Sequence, residues 1–447
     1  MSSVSVLESL LDRFRQIAAT LRDTRTGANK RYSISDAASC ALATFFFQAP
    51  SFLDFQRRMQ KQAARSNCES LFGVEKIPSD NHIRNLLDGH DPEHFAPLFA
   101  ECLQTARDNG ALQPFLRLDG RLAVALDGIQ IHCSDAIHCD LCSTRHVGKH
   151  KTVQYFHTML GAAIVADGHN RALPLMPHFV QPQHNPDDGR SDDQRKQDCE
   201  CNAAKRWLPA YIDLLRPFRP IIVGDDLYCC HPICHLIQTL EADFLLVCKP
   251  GNHKRLYELR HDDFTHSTDW LRTRNQQGQS ELHRYRWQNG LPVRDSADAV
   301  HGTWIEFEIQ RQGQRTYYNT FFTSLHVTAE NVAQIARLGR ARWKVENEAF
   351  NCLTCQGYNL KHNFGHGSRG LANLLATLNL FAFGLHTLLD GMRGLWRQVR
   401  DDSGTRRNFF DDLRCLSQRY WFPNWTALLT EMLAGDDPRA GPPHALA

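Results

Sequence analysis

The feature that most limits the fold of this chain is a set of short apolar runs between residues 116 and 250. The run 122–126 leads directly into Asp127-Gly128, and the runs 155–166 and 172–180 are separated by the turn sequence Asp-Gly-His-Asn at 167–170. Apolar runs bounded by turn residues are typical of β-strands. The sequence therefore predicts three adjoining strands in this part of the chain.

After a charged stretch at 187–200, the pattern changes to helix, strand, helix and strand. Helical spacing relates Ala203, Ala204, Trp207, Leu208 and Tyr211. The apolar run 221–223 then ends at Gly224-Asp225-Asp226, and the run 244–248 follows a short helix. This order is that of an RNase H-like core. We therefore predict the α/β class, with an RNase H-like mixed sheet and flanking helices.

The other regions are assigned around this core. Residues 1–112 are predicted to form an all-α N-terminal DNA-binding region, in which the basic segment 54–65 fits either a DNA-binding helix or a solvated helix face. Residues 113–250 form the first part of the core, 251–327 a β-rich insertion, 328–398 the last core helices and 399–447 a C-terminal region. The last core helix is expected to begin near Thr328 and to bury Val332, Ile335, Leu338, Ala341 and Val345.

Three acids occupy positions that suit metal binding on this pattern. Asp127 is expected to end the first strand, Asp225 ends the fourth strand, and Glu346 lies on the helix after the insertion. One such Asp is more often a turn residue, but two strand ends and a facing helix can bring three carboxylates together. Mg²⁺ prefers oxygen ligands, and two ions about 3.5–4 Å apart can hold the attacking and leaving oxygens of a phosphoryl transfer.

Each acid lies in a short motif: Leu126-Asp127-Gly128, Gly-Asp-Asp-Leu-Tyr at 224–228, and Arg-Trp-Lys-Val-Glu-Asn-Glu at 342–348. These motifs resemble those of the bacterial insertion-sequence DDE transposases of the "IS four" type. Four further segments are similar to one branch of that family, at 196–200, 203–208, 248–250 and 362–367. The resemblance extends from about residue 79 to residue 390.

The resemblance implies a DNA transposase that cleaves at transposon ends and directs the freed 3′-OH at target DNA. Asp127, Asp225 and Glu346 would hold two Mg²⁺ or Mn²⁺ ions. The implied partners are the terminal inverted repeats, target DNA and a second copy of the chain in a synaptic homodimer. Asp225 is preferred to Asp226 because the family has an aromatic residue three positions after its second acid, where this chain has Tyr228.

Basic residues of the third motif are candidate phosphate contacts. Arg342 matches the family arginine, although an ion pair with Glu346 on the same helix face is the alternative role. Gly339 and Leu353 stand where the family has Tyr and Lys, so phosphate contacts there are lost or come from Lys344 or Lys361. These departures keep open a catalytically inactive DNA-binding protein or repressor of its element, and a plain nuclease is a third reading.

Two tryptophans of the insertion, Trp287 and Trp304, are candidates for stacking on a flipped base. Packing within a strand is the simpler role for both. They are therefore not included among the predicted site residues.

Cysteines and histidines cluster after the first predicted strand, at His132, Cys133, His138, Cys139 and Cys142. Cys139-x-x-Cys142 has the spacing of a zinc knuckle, and Cys199 with Cys201 could complete four ligands. A second pair, Cys352 and Cys355, has the same spacing. One such pair is a weak signal, so structural zinc is a hypothesis.

Net charge does not decide between these functions. The chain has 51 basic and 49 acidic residues and a formal charge of +2, but a sum hides local patches, and bound metals would neutralise acids where a phosphate arrives. The apolar run 371–389 is interrupted by Asn373, Asn379 and His386, which favours a buried helix over a membrane span. We expect a cytoplasmic bacterial protein without a membrane partner.

Overall fold

The computed structural model describes residues 2–26, 30–59, 66–182, 198–268, 271–275 and 278–434. These residues form a mixed α/β fold in which twelve strands share one mixed sheet. The strands are β1 (Ala123–Ser134), β2 (Ser143–Val147), β3 (Thr152–Val165), β4 (Leu173–Pro174), β5 (His178–Phe179), β6 (Ile221–Gly224), β7 (Asp243–Val247), β8 (His266–Ser267), β9 (Leu271–Arg274), β10 (Ser280–Pro292), β11 (His301–Arg311) and β12 (Gln314–Thr323).

The sheet has the order β2-β3-β1-β6-β7-β12-β11-β10-β8, with β4 and β5 paired to β3 and β9 paired to β10. β1 is antiparallel to β3 and parallel to β6, and β6 is parallel to β7. The other pairs are antiparallel. The α/β class and the mixed sheet predicted from the apolar runs are confirmed.

Strand β1 is longer than expected, and Asp127 lies within it rather than at its end. The reason is that pairing with β3 continues past the Asp-Gly step, from Ala123↔Val165 to Ser134↔Tyr155. Pairing with β6 is shorter and ends at Ala125↔Val223. Asp127 therefore lies beyond the part of β1 that pairs with β6, although β1 itself continues.

The β-rich insertion extends the core sheet. Strand β12 pairs with β7 through Phe321↔Val247, Phe322↔Leu246 and Thr323↔Leu245, and β11 and β10 follow in a meander. The insertion is thus β-rich as predicted, but its strands belong to the same sheet as β1, β6 and β7.

The helices are α1 (Ser3–Ala19), α2 (Ile34–Phe46), α3 (Phe52–Met59), α4 (Asn67–Phe72), α5 (Asp80–Leu87), α6 (Ala96–Asp108), α7 (Glu200–Leu215), α8 (His231–Thr239), α9 (Lys254–Leu259), α10 (Val332–Arg340), α11 (Asn351–Cys355), α12 (Leu371–Gly391), α13 (Leu395–Asp402), α14 (Arg406–Arg419) and α15 (Trp425–Ala434). The N-terminal region is helical as expected. In the basic segment, Arg58 pairs with Asp54 at 2.7 Å, and positions 60–65 lie outside the described residues.

The first and last helices share one core. The Phe46 ring on α2 lies 5.8 Å from the Trp396 ring and 5.2 Å from the Trp425 ring, measured between centroids. The Asn67 side chain donates to the backbone carbonyls of Ser417 and Tyr420, each at 2.7 Å. The N-terminal helices and the C-terminal helices therefore pack as one unit rather than as independent domains.

Helix α12 lies at the centre of this packing. It has the length and hydropathy of a membrane span, yet 94% of its most apolar window is buried inside the protein. Asn379 donates from its amide to the Tyr358 carbonyl at 2.8 Å, and His386 contacts the Tyr358 hydroxyl at 2.6 Å. The polar residues that interrupt the apolar run therefore serve a buried core helix.

The helical segment that carries the third motif changes its winding. α10 starts at Val332, four residues later than expected, and continues through a 3₁₀ turn (Ala341–Trp343) and a π-helical turn (Val345–Phe350) into α11. The five apolar residues predicted for its inner face, from Val332 to Val345, are all buried. π-helical turns are rare and occur frequently at functional sites.

Candidate active site

Two of the predicted acids lie at one edge of the sheet. Asp127 lies two residues after Ala125, the last β1 residue that pairs with β6, and Asp225 directly follows the end of β6. The Asp127 Oδ1 accepts from the Gly128 N–H at 2.9 Å, and the Asp225 Oδ1 accepts from the Leu227 N–H at 2.9 Å. Each carboxylate is thus oriented by its own backbone and keeps a second oxygen that these two bonds do not use.

Glu346 reaches the same place from the π-helical turn. The Phe350 ring of that turn packs where a side chain on Gly161 would be, since a Cβ at Gly161 would lie 2.5 Å from the ring. Gly161 is the partner of Asp127 on β3. The missing side chain at 161 therefore lets the turn approach β1 and β3 closely, which brings Glu346 to Asp127.

Arg342 joins the two acids. Its Nη1 lies 3.2 Å from the Asp127 Oδ2 and 2.7 Å from the Glu346 Oε1. Arg342 therefore forms the ion pair with Glu346 that was the alternative to a phosphate contact. The same guanidinium also pairs with Asp127. The guanidinium compensates part of the negative charge of the site.

The pKa of Asp127 is shifted by burial and by the charges around it. Burial raises this pKa most, the Arg342 guanidinium opposes the rise, and the carboxylates of Glu346 and Asp225 add to it, so that it reaches about 7. A carboxylate held against two others in a partly buried site binds either a proton or a cation. The three acids and Arg342 therefore form a partly buried cluster in which Asp127 holds its proton more tightly than usual.

Asp226, the alternative to Asp225 as the second acid, makes different contacts. Its Oδ1 accepts from the Lys249 N–H at 2.5 Å and lies 3.2 Å from the His253 Nε2, and its Oδ2 accepts from the Asn252 amide. These contacts tie the end of β6 to the loop after β7. The structure thus brings Asp225 to Asp127 and uses Asp226 to hold the neighbouring loop.

Lys344 does not share the position of Arg342. Its side chain is buried, and its Nζ donates to the Asn170 Oδ1 at 3.3 Å. Burial lowers the pKa of Lys344, while the carboxylates that counteract this are those of Glu348 and Asp167. Lys344 therefore contacts the turn after β3, on a different side of the helical segment from the three acids.

Gly339 and Leu353, the two positions at which the third motif differs from the transposase pattern, both pack against other parts of the protein. A Cβ on Gly339 would lie 2.8 Å from the Phe321 ring of β12, so α10 rests directly on that ring. Leu353 is fully buried. Both positions therefore face the protein interior.

One acid of this site was missing from the sequence prediction. Glu200 begins α7, and its carboxylate lies against Gly128, where a Cβ would come within 2.0 Å of it. Burial raises the pKa of Glu200, and the Asp225 carboxylate adds to the rise. Its place at the end of the 196–200 motif was the signal for Glu200 in the sequence. An acid at the start of a helix is usually interpreted as a cap, so Glu200 was not assigned to the site.

The two candidate tryptophans, Trp287 and Trp304, are interior residues. Trp304 is fully buried, with the Arg260 guanidinium 4.7 Å from its ring, and Trp287 is buried against the His266 ring at 5.6 Å. Both positions fit the packing role weighed above.

A second group of potential metal ligands lies at the loop that follows β1. The side chains are Cys139, Cys142, His157 and His366, whose ligand atoms all lie within 4.8 Å of one another. The pKa of the Cys139 thiol is held far below its usual value by the Cys142 thiol first, and then by the two imidazoles. This cluster could hold a metal ion.

The predicted completion of this cluster by Cys199 and Cys201 is wrong. Cys201 donates to the Leu227 carbonyl at 3.3 Å, on the other side of the acidic site, and Cys199 is exposed. The histidines of β3 and of the segment before α12 take their places because the fold brings these segments to the loop after β1. Within the described ranges, Cys352 and Cys355 belong to no group of three metal-ligating side chains.

Comparison of the chain with models of known protein families and with curated proteins gives no match.

Proposed function

We propose that this chain is a DNA transposase that uses metal-dependent DDE chemistry on an RNase H-like core. The observation that carries the proposal is the convergence of Asp127, Asp225 and Glu346 at one edge of a mixed sheet. The strand arrangement supports it: β1 antiparallel to β3, with β6 and β7 following in parallel, is the order expected from the sequence.

The residues present suit Mg²⁺ or Mn²⁺. The three acids offer carboxylate oxygens, which hard cations prefer. Burial raises the pKa of Asp127 most, the carboxylates of Glu346 and Asp225 raise it further, and a divalent ion would neutralise the charge of these acids. When two such ions are bound, they supply Lewis-acid activation of the attacking oxygen and stabilisation of the leaving oxygen. Asp127, Asp225 and Glu346 would hold them.

The chain's own residues would then position the DNA. Arg342 has its guanidinium at the acids and, once released from Glu346 and Asp127, can donate to a phosphate oxygen in the bidentate manner of arginine. Asp226 keeps the loop 249–253 fixed next to Asp225. Terminal inverted repeats, target DNA and a second copy of the chain are the partners proposed with this activity.

The test is an assay of nicking and strand transfer on DNA that carries the terminal repeats flanking the gene, with Mg²⁺ or Mn²⁺. The wild type should nick and join. Asp127→Asn, Asp225→Asn and Glu346→Gln should each lower both rates by about 10³-fold, equivalent to about 4 kcal/mol of transition-state stabilisation, and should leave DNA binding intact. Glu348→Gln, which removes the same charge two residues from Glu346, is the matched control and should stay active.

The packing at Gly339 and Leu353 favours a second candidate, a DNA-binding protein of the same fold without catalysis. In that case the folded wild type binds its terminal repeats specifically and neither nicks nor joins them. Cleavage without joining would instead indicate a nuclease. Either result overturns the transposase proposal.

A further inference from the structure

The loop after β1 folds around a set of four potential metal ligands. The Cys139 Sγ lies 4.0 Å from the Cys142 Sγ and 3.3 Å from the His157 Nε2, and the Cys142 Sγ lies 3.3 Å from the His366 Nε2. Around a tetrahedral zinc ion with bonds of about 2.3 Å to sulfur and about 2.0 Å to nitrogen, neighbouring ligand atoms are about 3.5–3.8 Å apart. The observed separations bracket these values.

We propose that Cys139, Cys142, His157 and His366 bind one structural zinc ion. Two thiolates and two imidazoles form a common ligand set of structural zinc sites. All four side chains are buried, which leaves no open position for a substrate or a reactive water. The ion would therefore stabilise the fold rather than take part in the chemistry at Asp127.

The local backbone is arranged for a two-cysteine turn. The Cys142 N–H donates to the Cys139 carbonyl at 3.0 Å, and the Cys139 N–H donates to the Cys142 Sγ at 3.4 Å. The two sulfurs therefore point to the same side of the loop.

The loop buries little apolar surface of its own. Ile137 is 46% exposed and Leu141 is 37% exposed, whereas the two cysteines turn inward. A segment that buries so little apolar surface gains stability from a metal cross-link, because the free energy of metal binding is then part of the free energy of folding. The zinc ion would join the loop to β3 through His157.

The fourth ligand explains a motif that the proposed catalysis does not use. His366 lies in the sequence His-Asn-Phe-Gly-His-Gly at 362–367, between Gly365 with φ 151° and Gly367 with φ 67°. Side chains at the two glycines would also collide, with Arg84 at 2.8 Å and with Asp88 at 2.5 Å. The two glycines thus permit the turn that directs His366 inward, so the zinc ion would link the chain before α12 to the loop after β1 and to β3.

The first test is the metal content of the full-length protein, purified without a metal-binding tag. We expect about one zinc per chain by mass spectrometry, and we expect cobalt exchanged into the site to show the visible absorption of a tetrahedral ion with thiolate ligands. Neither measurement depends on transposase activity. Folded wild type without zinc would overturn the proposal, and so would a disulfide between Cys139 and Cys142 in freshly purified protein.

Variants and chemical labelling then locate the ion. Cys142→Ser should lose the zinc, Cys142→His should keep it by preserving a ligand, and Cys133→Ser, an exposed neighbour outside the cluster, should keep it. Zinc that survives in Cys142→Ser and is lost in a folded Cys229→Ser variant would place the metal at Cys229, Cys248 and His253 instead.

Labelling of the wild type keeps the test valid if Cys142→Ser does not fold. We expect Cys139 and Cys142 to react with an alkylating agent only after a zinc chelator is added. Exposed Cys133 should react in both conditions, and buried Cys102 in neither. Reaction of Cys139 and Cys142 that is the same with and without the chelator would contradict the proposal.

Discussion

The Arg342 guanidinium lies between the carboxylates of Asp127 and Glu346, 3.2 Å from one and 2.7 Å from the other. The Asp127 and Arg342 side chains are only 16% and 19% exposed, so their pairing is partly shielded from water. Arginine therefore occupies, in the protein alone, the position in which a divalent ion would neutralise the same two acids.

This relationship predicts the response of Arg342→Gln to Mg²⁺. Without the guanidinium, repulsion between the carboxylates should lower the free energy of unfolding of the metal-free protein by about 1–3 kcal/mol. Mg²⁺ should then raise the Tm of the variant more than that of the wild type, because the ion need not displace Arg342. Thermal unfolding with and without Mg²⁺ measures both effects.

The control for this prediction is Arg340→Gln, in which the lost guanidinium packs 4.6 Å from the Tyr317 ring. Its Tm should rise with Mg²⁺ as much as the wild-type Tm does. An equal Mg²⁺ response in Arg342→Gln and the wild type would show that Arg342 does not compete with metal.

The same site predicts a pH dependence that Asp127 governs. Its pKa in the folded protein is about 7, above the usual 3.8, so between these values the folded state holds a proton that the unfolded state has lost. The contribution of Asp127 to stability should therefore fall as pH rises from about 4 to about 7 and stay level above that. Metal binding needs the ionised form, so Mg²⁺ affinity should rise over the same interval.

Urea unfolding of the wild type and of Asp127→Asn, measured from about pH 5 to about pH 8, tests this prediction. The free energy of unfolding of the wild type minus that of Asp127→Asn should decrease as the pH rises toward 7. Glu348→Gln should follow the wild type. A difference that is independent of pH would contradict the raised pKa.

Much of the site could be predicted from the sequence because strand order and acid placement are local signals. Asp127 and Asp225 follow apolar runs that do form neighbouring parallel strands, and Glu346 lies in a helical segment. The end of β1 was misplaced because an Asp-Gly pair is a turn signal, whereas the partner strand β3 keeps pairing beyond it. Sequence spacing carries no information about that partner.

Residues from distant segments could not be assigned in this way. The zinc-knuckle spacing of Cys139 and Cys142 indicates half of a ligand set, but only the sheet shows that His157 lies behind it and that His366 approaches from the segment before α12. Glu200 was missed for the same reason, since its contact is with Gly128 on another element.

The contact between Glu200 and Gly128 predicts a coupled pair of substitutions. Gly128→Ala would place a Cβ within 2.0 Å of the Glu200 carboxylate, and we expect it to lower the free energy of unfolding by about 1–3 kcal/mol. In a Glu200→Ala background the same substitution should cost much less. A double-mutant cycle by urea unfolding measures the coupling, and additive effects would contradict the contact. Gly251→Ala, at a glycine that has open space around it and, like Gly128, no positive φ, shows the cost of the substitution without the contact.

The packing at Gly339 and Leu353 predicts that introducing Tyr and Lys, the residues that the DDE transposases this chain resembles have there, damages the protein. Gly339→Tyr would force α10 away from the Phe321 ring, which lies 2.8 Å from the position of its Cβ, at a cost of about 1–3 kcal/mol in stability. Leu353→Lys would bury an ammonium group with no partner, which costs several kcal/mol. Cys355→Lys, exposed on the same short helix, should be nearly neutral in urea unfolding. If either restoring variant were as stable as the wild type and nicked DNA faster, the helix would present these positions to DNA rather than to the core.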